Sequence, residues 1–311
     1  CVPKLTAHLN TYDIYLTKYL SGENMTEIKP NPLMKHFRQP KLYIDLPSKG
    51  LFYPQGTIEL TEDGKVAVYA MTAKDEIMIK TPDALLNGQS TVSVIQNCCP
   101  GIKNAWLVPN IDLDALLTAI RIATYGESLS LEFTIPGTEN ERAFEANLVE
   151  ILDELVVNEY QTSFTHNEFT IETAPMTYKQ FTDVALKTFE EQRILKIVND
   201  DDMSEGEKIQ KFNETFQRLT DINIANVFNS VKSITVDGNT VTDTRHLADF
   251  LQNAPVDVYK SILDHVDEQR KKFTVKPRKI VTSEEDRADG APDTMEIPIN
   301  FDASNFFASG S

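Results

Sequence analysis

The protein has 311 residues, with 47 Asp and Glu against 30 Lys and Arg, a net charge of −17 and a pI near 4.7. A hydrophobic content of 41% is that of a folded chain, and the length predicts about two domains. This acidity argues against binding to nucleic acid or to an anionic membrane, and no apolar run approaches the ~20 residues of a membrane-spanning helix.

The charge divides the chain into four segments with different sequence patterns. Residues 1–39 carry +2, residues 40–176 carry −12, residues 177–273 carry −4 and residues 274–311 carry −3. We interpret them in order as an N-terminal helix with a Pro-rich arm, an α+β domain, a helical domain, and a flexible linker with a Phe-Phe anchor.

The first segment has one apolar stripe at helical spacing. Its members are Leu5, Leu9, Tyr12, Leu16 and Tyr19. Pro30, Pro32 and Pro40 follow, and prolines at this density favour an extended connector. The helix either docks on its own domain or belongs to an arm that grips a neighbouring subunit.

Residues 41–72 have β-strand character. A short strand at 41–46 is closed by a Pro-Ser-Lys-Gly turn, and two further runs, 57–61 and 65–71, flank an Asp-Gly pair that predicts a hairpin. Thr72 and Asp75 then form the sequence pattern of a capping box, which predicts a helix beginning near residue 73.

Helices and hairpins alternate through residue 173. We predict a helix over 90–97, a second helix capped by Asn110 and ended by Gly126, and a hairpin that pairs 128–135 with 143–152. A further strand is expected within 164–173.

From residue 177 the pattern is helical. Thr177 with Gln180 predicts the start of one helix, and Ser204 with Glu207 predicts a capping box for the next. The first helix is expected to turn these side chains inward: Phe181, Val184, Phe189, Leu195 and Val198. Apolar residues continue at helical spacing in the second: Ile209, Phe212, Phe216 and Leu219. Two more helices are predicted, over 244–252 and 256–273.

The last segment combines a linker with an apolar end. Residues 282–287 read as a solvated linker, whereas 295–302 regain strand-like alternation. Phe306 and Phe307 follow, and they either dock on this protein's own domain or plug into a partner, as in β-augmentation. Together the four segments predict an α+β fold: an N-terminal helical arm, a mixed β-hairpin and helix body, a C-terminal helical bundle and an extended tail.

The sequence carries no recognisable catalytic or cofactor motif. No His pair has the spacing of a helical zinc site, and there is no nucleophile elbow, phosphate-binding loop or dinucleotide fingerprint. Cys98 and Cys99 lie among apolar residues, which favours a buried structural role over a nucleophile. We therefore expect no enzyme activity, no cofactor and no metal.

The most distinctive segment is Asp-Leu-Pro-Ser-Lys-Gly-Leu-Phe-Tyr at 45–53. Several further motifs follow it in order: Ala70–Glu76, Asp83–Gly88, Gln96–Cys98, Asp112 through Arg121 to Gly126, and Phe301–Phe307. In this order they resemble a family of baseplate hub proteins from contractile-tailed phages of the T-even type. Some relatives carry cysteine pairs after the Tyr-Gly or before the final Phe-Phe, and this chain does not.

The resemblance implies a non-enzymatic structural or assembly role in a phage tail baseplate hub. The implied partners are hub, tape measure or spike-associated subunits, with a homo-oligomer also possible, and the implied location is the virion baseplate or the host cytoplasm during assembly. Partner-binding residues are expected in both end segments and after the Lys-Gly turn: Leu9, Tyr12, Leu16, Tyr19, Leu51, Phe52, Tyr53, Phe301, Asn305, Phe306 and Phe307. The alternatives are a tail-associated cell-wall hydrolase and an acidic adaptor unrelated to phage.

Overall fold

The computed structural model describes residues 37–80, 88–198 and 204–299, with only the backbone described for 195–198. The chain divides into two units, residues 1–39 and 40–311, and every element named below belongs to the second. Helices alternate with small antiparallel sheets, so the predicted α+β class is confirmed. The predicted N-terminal helix lies outside the described residues.

The described elements are short, apart from three helices of 17 residues or more. The helices are α1 Ala73–Ile79, α2 Gln89–Cys98, α3 Leu113–Tyr125, α4 Leu148–Val156, α5 Tyr178–Val198, α6 Glu205–Ser230, α7 Thr244–Asn253, α8 Val256–Lys272 and α9 Glu284–Ala288. The strands are β1 Pro40–Ile44, β2 Val66–Tyr69, β3 Ser128–Thr134, β4 Glu141–Asn147, β5 Ser163–His166, β6 Phe169–Thr173, β7 Val231–Val236, β8 Asn239–Val241, β9 Arg278–Val281 and β10 Thr294–Ile297.

The first sheet pairs β1 with β2, which corrects the predicted hairpin. The Asp-Gly turn forms, with the Gly64 amide donating to the Thr61 carbonyl at 2.9 Å, but residues 57–61 do not become the partner strand of β2. Instead Ile58 bridges Ile102, and the Glu59 amide donates to the Gly101 carbonyl at 2.7 Å. Residues 57–61 therefore pair with the loop after α2 and not with β2.

The helix starts follow local capping chemistry. The Thr72 side chain accepts from the amide of Asp75, whose carboxylate accepts in turn from the Thr72 amide, so the predicted capping box opens α1. Asn110, however, does not cap α3, because it begins a 3-10 turn over Asn110–Asp112 that leads directly into that helix. Gly126 ends α3 as expected, at φ 97°.

Residues 143–152, the predicted partner strand of 128–135, form a strand as far as Asn147 and a helix from Leu148. Strand β4 ends at Asn147, whose side-chain oxygen accepts from the amides of Val149 and Glu150 and so caps α4. Leu148, Ile151 and Leu155 are buried at spacings of three and four, which is a helical rather than a strand pattern.

The largest sheet has the strand order β5-β6-β7-β8, all antiparallel. The single strand expected within 164–173 is a hairpin, because Asn167 adopts φ 52° between β5 and β6. Strands β7 and β8 were not predicted, although Asp237-Gly238 between them is a hairpin signal. They lie within the segment interpreted as helical, so this sheet takes strands from both sides of residue 176.

Helices α5 and α6 run as an antiparallel pair that meets partly through polar groups. Ser204 and Glu207 form the predicted capping box at the start of α6. The Arg218 guanidinium donates to the Glu191 carboxylate at 2.7 Å and to the Thr215 hydroxyl at 3.1 Å. The first contact joins α6 to α5, and the second lies within α6 and orients the guanidinium.

The segment predicted as a solvated linker is folded. β9 and β10 pair over four residues, and Ser283 caps the short α9 between them. The carboxylate of Asp286 accepts from Arg142 at 2.8 Å and from Asn140 at 3.1 Å, which attaches this hairpin to the β3–β4 hairpin. The linker prediction was wrong because the partners of Asp286 are distant in sequence.

Two apolar clusters form the interior of the part of the chain that the structure describes. The larger is built mainly from α2, α3, α4 and the β1–β2 and β3–β4 sheets, and it includes Cys98 and Cys99, both fully buried as predicted. The smaller lies between the four-stranded sheet and the helices α6, α7 and α8.

Candidate interaction surface

The Leu-Pro-Ser-Lys-Gly segment forms a tight turn with three left-handed residues. Lys49, Gly50 and Phe52 have φ of 55°, 76° and 69°. A Cβ on Gly50 would lie 2.9 Å from the Leu60 Cδ1 atom, so the turn needs glycine for both space and conformation. Lys49 donates from Nζ to the carbonyl of Val156 at 2.9 Å and thereby caps the C-terminus of α4.

A buried carboxylate anchors the turn. Asp112 accepts from the Ser48 amide at 2.7 Å, the Ser48 hydroxyl at 2.6 Å and the Tyr53 hydroxyl at 2.9 Å. Burial raises the pKa of Asp112 to about 6, although the donors from Ser48 and Tyr53 oppose that rise. Burial, followed by the adjacent Asp112, raises the pKa of Tyr53 well above its usual value.

The three residues predicted after the turn have different surroundings. Leu51 is 60% exposed, whereas Phe52 and Tyr53 are only partly exposed. The Phe52 ring packs edge-on against Tyr160 at 5.4 Å, and Tyr160 stacks on Phe273 at 6.3 Å. Phe52 and Tyr53 therefore make contacts within the chain, and Leu51 is the one of the three that faces solvent.

The N-terminal half of α6 presents an apolar ridge that we define as Ile209, Phe212 and Phe216. These side chains are 60%, 53% and 62% exposed, and the two phenyl rings stack with centroids 6.4 Å apart. The same helix buries Val227 and Ser230 near its other end, where it packs on the four-stranded sheet. Thr215, next to Phe216, is also fully buried, so the ridge is the exposed face of a helix whose opposite face is covered.

Helix α5 adds exposed aromatic surface, contrary to prediction. Phe181 and Phe189 were expected to face inward, but they are 39% and 53% exposed, and Leu186 is also exposed. The periodicity of the sequence identifies one face of the helix but does not say whether another element covers it. The side chains of Leu195 and Val198 lie outside the described residues.

The remaining predicted partner-binding residues also lie outside the described part of the chain: Leu9, Tyr12, Leu16, Tyr19, Phe301, Asn305, Phe306 and Phe307. Within residues 37–80, 88–198 and 204–299, no three His, Cys, Asp or Glu side chains are grouped to hold a metal ion.

A family model decides the class of protein. Residues 54–283 match the family described as T4 bacteriophage base plate protein, and this match spans more than two thirds of the chain. The chain belongs to this family. It is a phage baseplate protein, so the expected partners include other baseplate or tail proteins and the expected location is the tail baseplate of the virion.

The family match extends the resemblance found in the sequence. It begins directly after the Leu-Pro-Ser-Lys-Gly-Leu-Phe-Tyr segment and runs through α5, α6, α7 and α8, for which no family motif was recognised. No curated protein and no solved structure is significantly similar to the chain. Among the described helices of this baseplate protein, none has both the length and the apolar character required to cross a bilayer.

Proposed function

We propose that this baseplate protein is a non-enzymatic structural or assembly component of the hub, and that it binds a hub or tail subunit through the ridge on α6. The observation that carries the proposal is the exposure of Ile209, Phe212 and Phe216 on a helix whose other face buries Thr215, Val227 and Ser230. Contiguous exposed aromatic side chains are typical of protein interfaces.

The charges around the ridge indicate what kind of partner surface fits it. Residues 205–218 contain three acidic and three basic side chains, whereas residues 40–176 carry −12. A balanced helix neither repels nor attracts a charged partner strongly over distance. The proposed partner surface is therefore an apolar groove on a hub, tape measure or spike-associated subunit.

The proposal predicts that Phe212→Ser/Phe216→Ser weakens binding to assembled baseplates or their precursors by about tenfold or more, because buried aromatics dominate interface energies. Unfolding midpoints should change little, since both rings are more than half exposed. Val281→Ser provides the control, because Val281 is a 72% exposed apolar residue on β9.

Equal binding by the double variant and the Val281→Ser control would contradict the ridge as the interface. Binding of wild type to no hub or tail subunit of its own phage would contradict the hub role itself. Cleavage of peptidoglycan by the purified chain, abolished by neutralising one carboxylate, would favour the tail-associated hydrolase instead.

The predicted partner-binding residues of the turn and of the N-terminal segment belong to this proposal as secondary sites. Leu51 is exposed and is available for contact, while Phe52 and Tyr53 are expected to act by shaping the turn that presents it. The N-terminal stripe from Leu9 to Tyr19 is proposed as an arm that grips a neighbouring subunit.

A further inference from the structure

A cleft opens where α5, the end of α8 and the 3-10 turn before α3 meet. It has a larger half and a smaller half, with volumes of ≈ 580 Å³ and ≈ 150 Å³. Both are lined by Asn110, Ile111, Phe181 and Arg270. The larger half continues along residues 273–277, which follow α8. The dimensions suit a short segment of polypeptide or a ligand of similar size.

The larger half is apolar with an excess of positive charge. Phe181 and Phe273 supply aromatic surface, and Lys271 and Lys276 are exposed cations at its edge. The acidic side chain in this half is Asp114, which accepts from the Val275 amide at 3.3 Å. Arg270 also lines it and pairs with Asp267 at 3.1 Å. A local cationic excess is unusual in a chain of net charge −17.

The smaller half contains two buried hydrogen-bond acceptors that are not satisfied. The side-chain oxygens of Asn110 and Asn226 are buried, and neither has a partner among the described residues. Buried amide oxygens normally accept a hydrogen bond. Backbone N–H groups of an extended peptide are donors of the required kind.

The chain after β10 is directed towards the cleft. In the antiparallel β9–β10 pair, Ile297 lies opposite Arg278, so the chain after Ile297 runs back towards Pro277 and Lys276 at the cleft. We define residues 300–311 as the tail segment. Its first eight residues span at most about 29 Å when extended, which is enough to cross the cleft.

The composition of the tail segment is complementary to the cleft. It contains three phenylalanines, Phe301, Phe306 and Phe307, one acid, Asp302, and no basic residue. Aromatic side chains match the apolar floor, and a single carboxylate matches the lysines at the edge. We propose that the cleft is the docking site of this chain's own tail segment, bound in cis. The proposal does not depend on the hub role.

The test compares two full-length proteins, wild type and Phe306→Ser/Phe307→Ser. If the tail segment covers the cleft, amides within 270–277 should exchange with solvent at least about fivefold faster in the variant. Phe37→Ser is the control, because Phe37 is an exposed phenylalanine outside the tail segment, and it should leave this exchange unchanged.

A second measurement uses a synthetic peptide of residues 300–311 as the probe. The peptide should bind the Phe306→Ser/Phe307→Ser protein about tenfold or more tightly than wild type, because a tethered tail competes at high effective concentration. Adding Lys276→Glu to the variant should weaken peptide binding again.

Three results would overturn the proposal. They are unchanged exchange at 270–277 in the tail variant, equal peptide binding to wild type and variant, and protection that appears only with concentration-dependent dimerisation. The last would assign the cleft to the tail segment of a second copy.

Discussion

At the scale of single residues, Asp112 explains the most distinctive motif of the chain. Its carboxylate collects the amide and hydroxyl of Ser48 and the hydroxyl of Tyr53, so it fixes both sides of the turn. The sequence identified the turn. The sequence did not identify Asp112 as the anchor of the turn, because Ser48 and Asp112 are 64 positions apart.

The raised pKa of Asp112 predicts a pH dependence of stability. With a folded-state pKa of about 6 and an ordinary unfolded value, the native state binds more protons between about pH 4 and 6. The free energy of unfolding should therefore fall as pH rises through this window, by at most about 1.4 kcal/mol per pH unit for each such group. Asp114, whose pKa burial also raises to about 6, contributes in the same direction.

Urea unfolding from pH 4.5 to 7 measures this effect in wild type, Asp112→Asn and Asp114→Asn. Each variant should remove about half of the decline, because each removes one of two similar groups. A slope in Asp112→Asn identical to that of wild type would mean that this carboxylate titrates normally.

A matched pair of glycines tests the geometry of the turn. Gly50 and Gly64 both have φ 76°, but only Gly50 faces a neighbour, Leu60 Cδ1, at the position of a Cβ. Alanine at either site should cost about 1 kcal/mol for the left-handed conformation, and Gly50→Ala should cost more because Leu60 must move. Equal losses in chemical denaturation would show that the Leu60 contact carries no energy.

At the scale of elements, local sequence signals predicted where the helices begin. They predicted less well which segments pair as strands and which helix faces are buried. The capping boxes at Thr72 and Ser204 are confirmed because they join residues three positions apart. The partner of β2 was predicted wrongly, since strand pairing is a choice among distant segments. Apolar residues recur along the whole of α6, yet Val227 is buried and Phe216 is exposed. Their spacing therefore does not show which of them another element covers.

The folded hairpin of β9 and β10 provides a prediction at this scale. Asp286 is buried, with an exposed fraction of 2%, and it accepts from Ser283, Asn140 and Arg142. These donors lower its pKa, and the Ser283 hydroxyl is the largest cause. Asp286→Ala should therefore release the hairpin and increase proteolytic cleavage within 278–297.

Asp289→Ala is the matched control for that experiment. Asp289 also accepts from Asn140, at 3.1 Å, but it is exposed and makes no ion pair with Arg142 among the described contacts. Cleavage within 278–297 should change less in this variant. Equal cleavage in both variants would show that the buried carboxylate does not hold the hairpin in place.

At the scale of the whole molecule, charge and exposed apolar surface are unevenly distributed. Residues 40–176 hold −12 of the net charge, while the ridge on α6 is locally balanced and apolar. The family match identifies a phage baseplate protein, and the fold shows where an apolar surface is left uncovered. We propose that the negative charge of residues 40–176 favours solubility and that the apolar ridge binds the partner.

Mass spectrometry of baseplates and their assembly intermediates, purified from infected cells, tests the proposed hub role most directly. We predict that this chain is present together with hub subunits in at least one of these species, and that Phe212→Ser/Phe216→Ser removes it. Absence of the wild-type chain from every baseplate species and from purified virions would contradict the hub role.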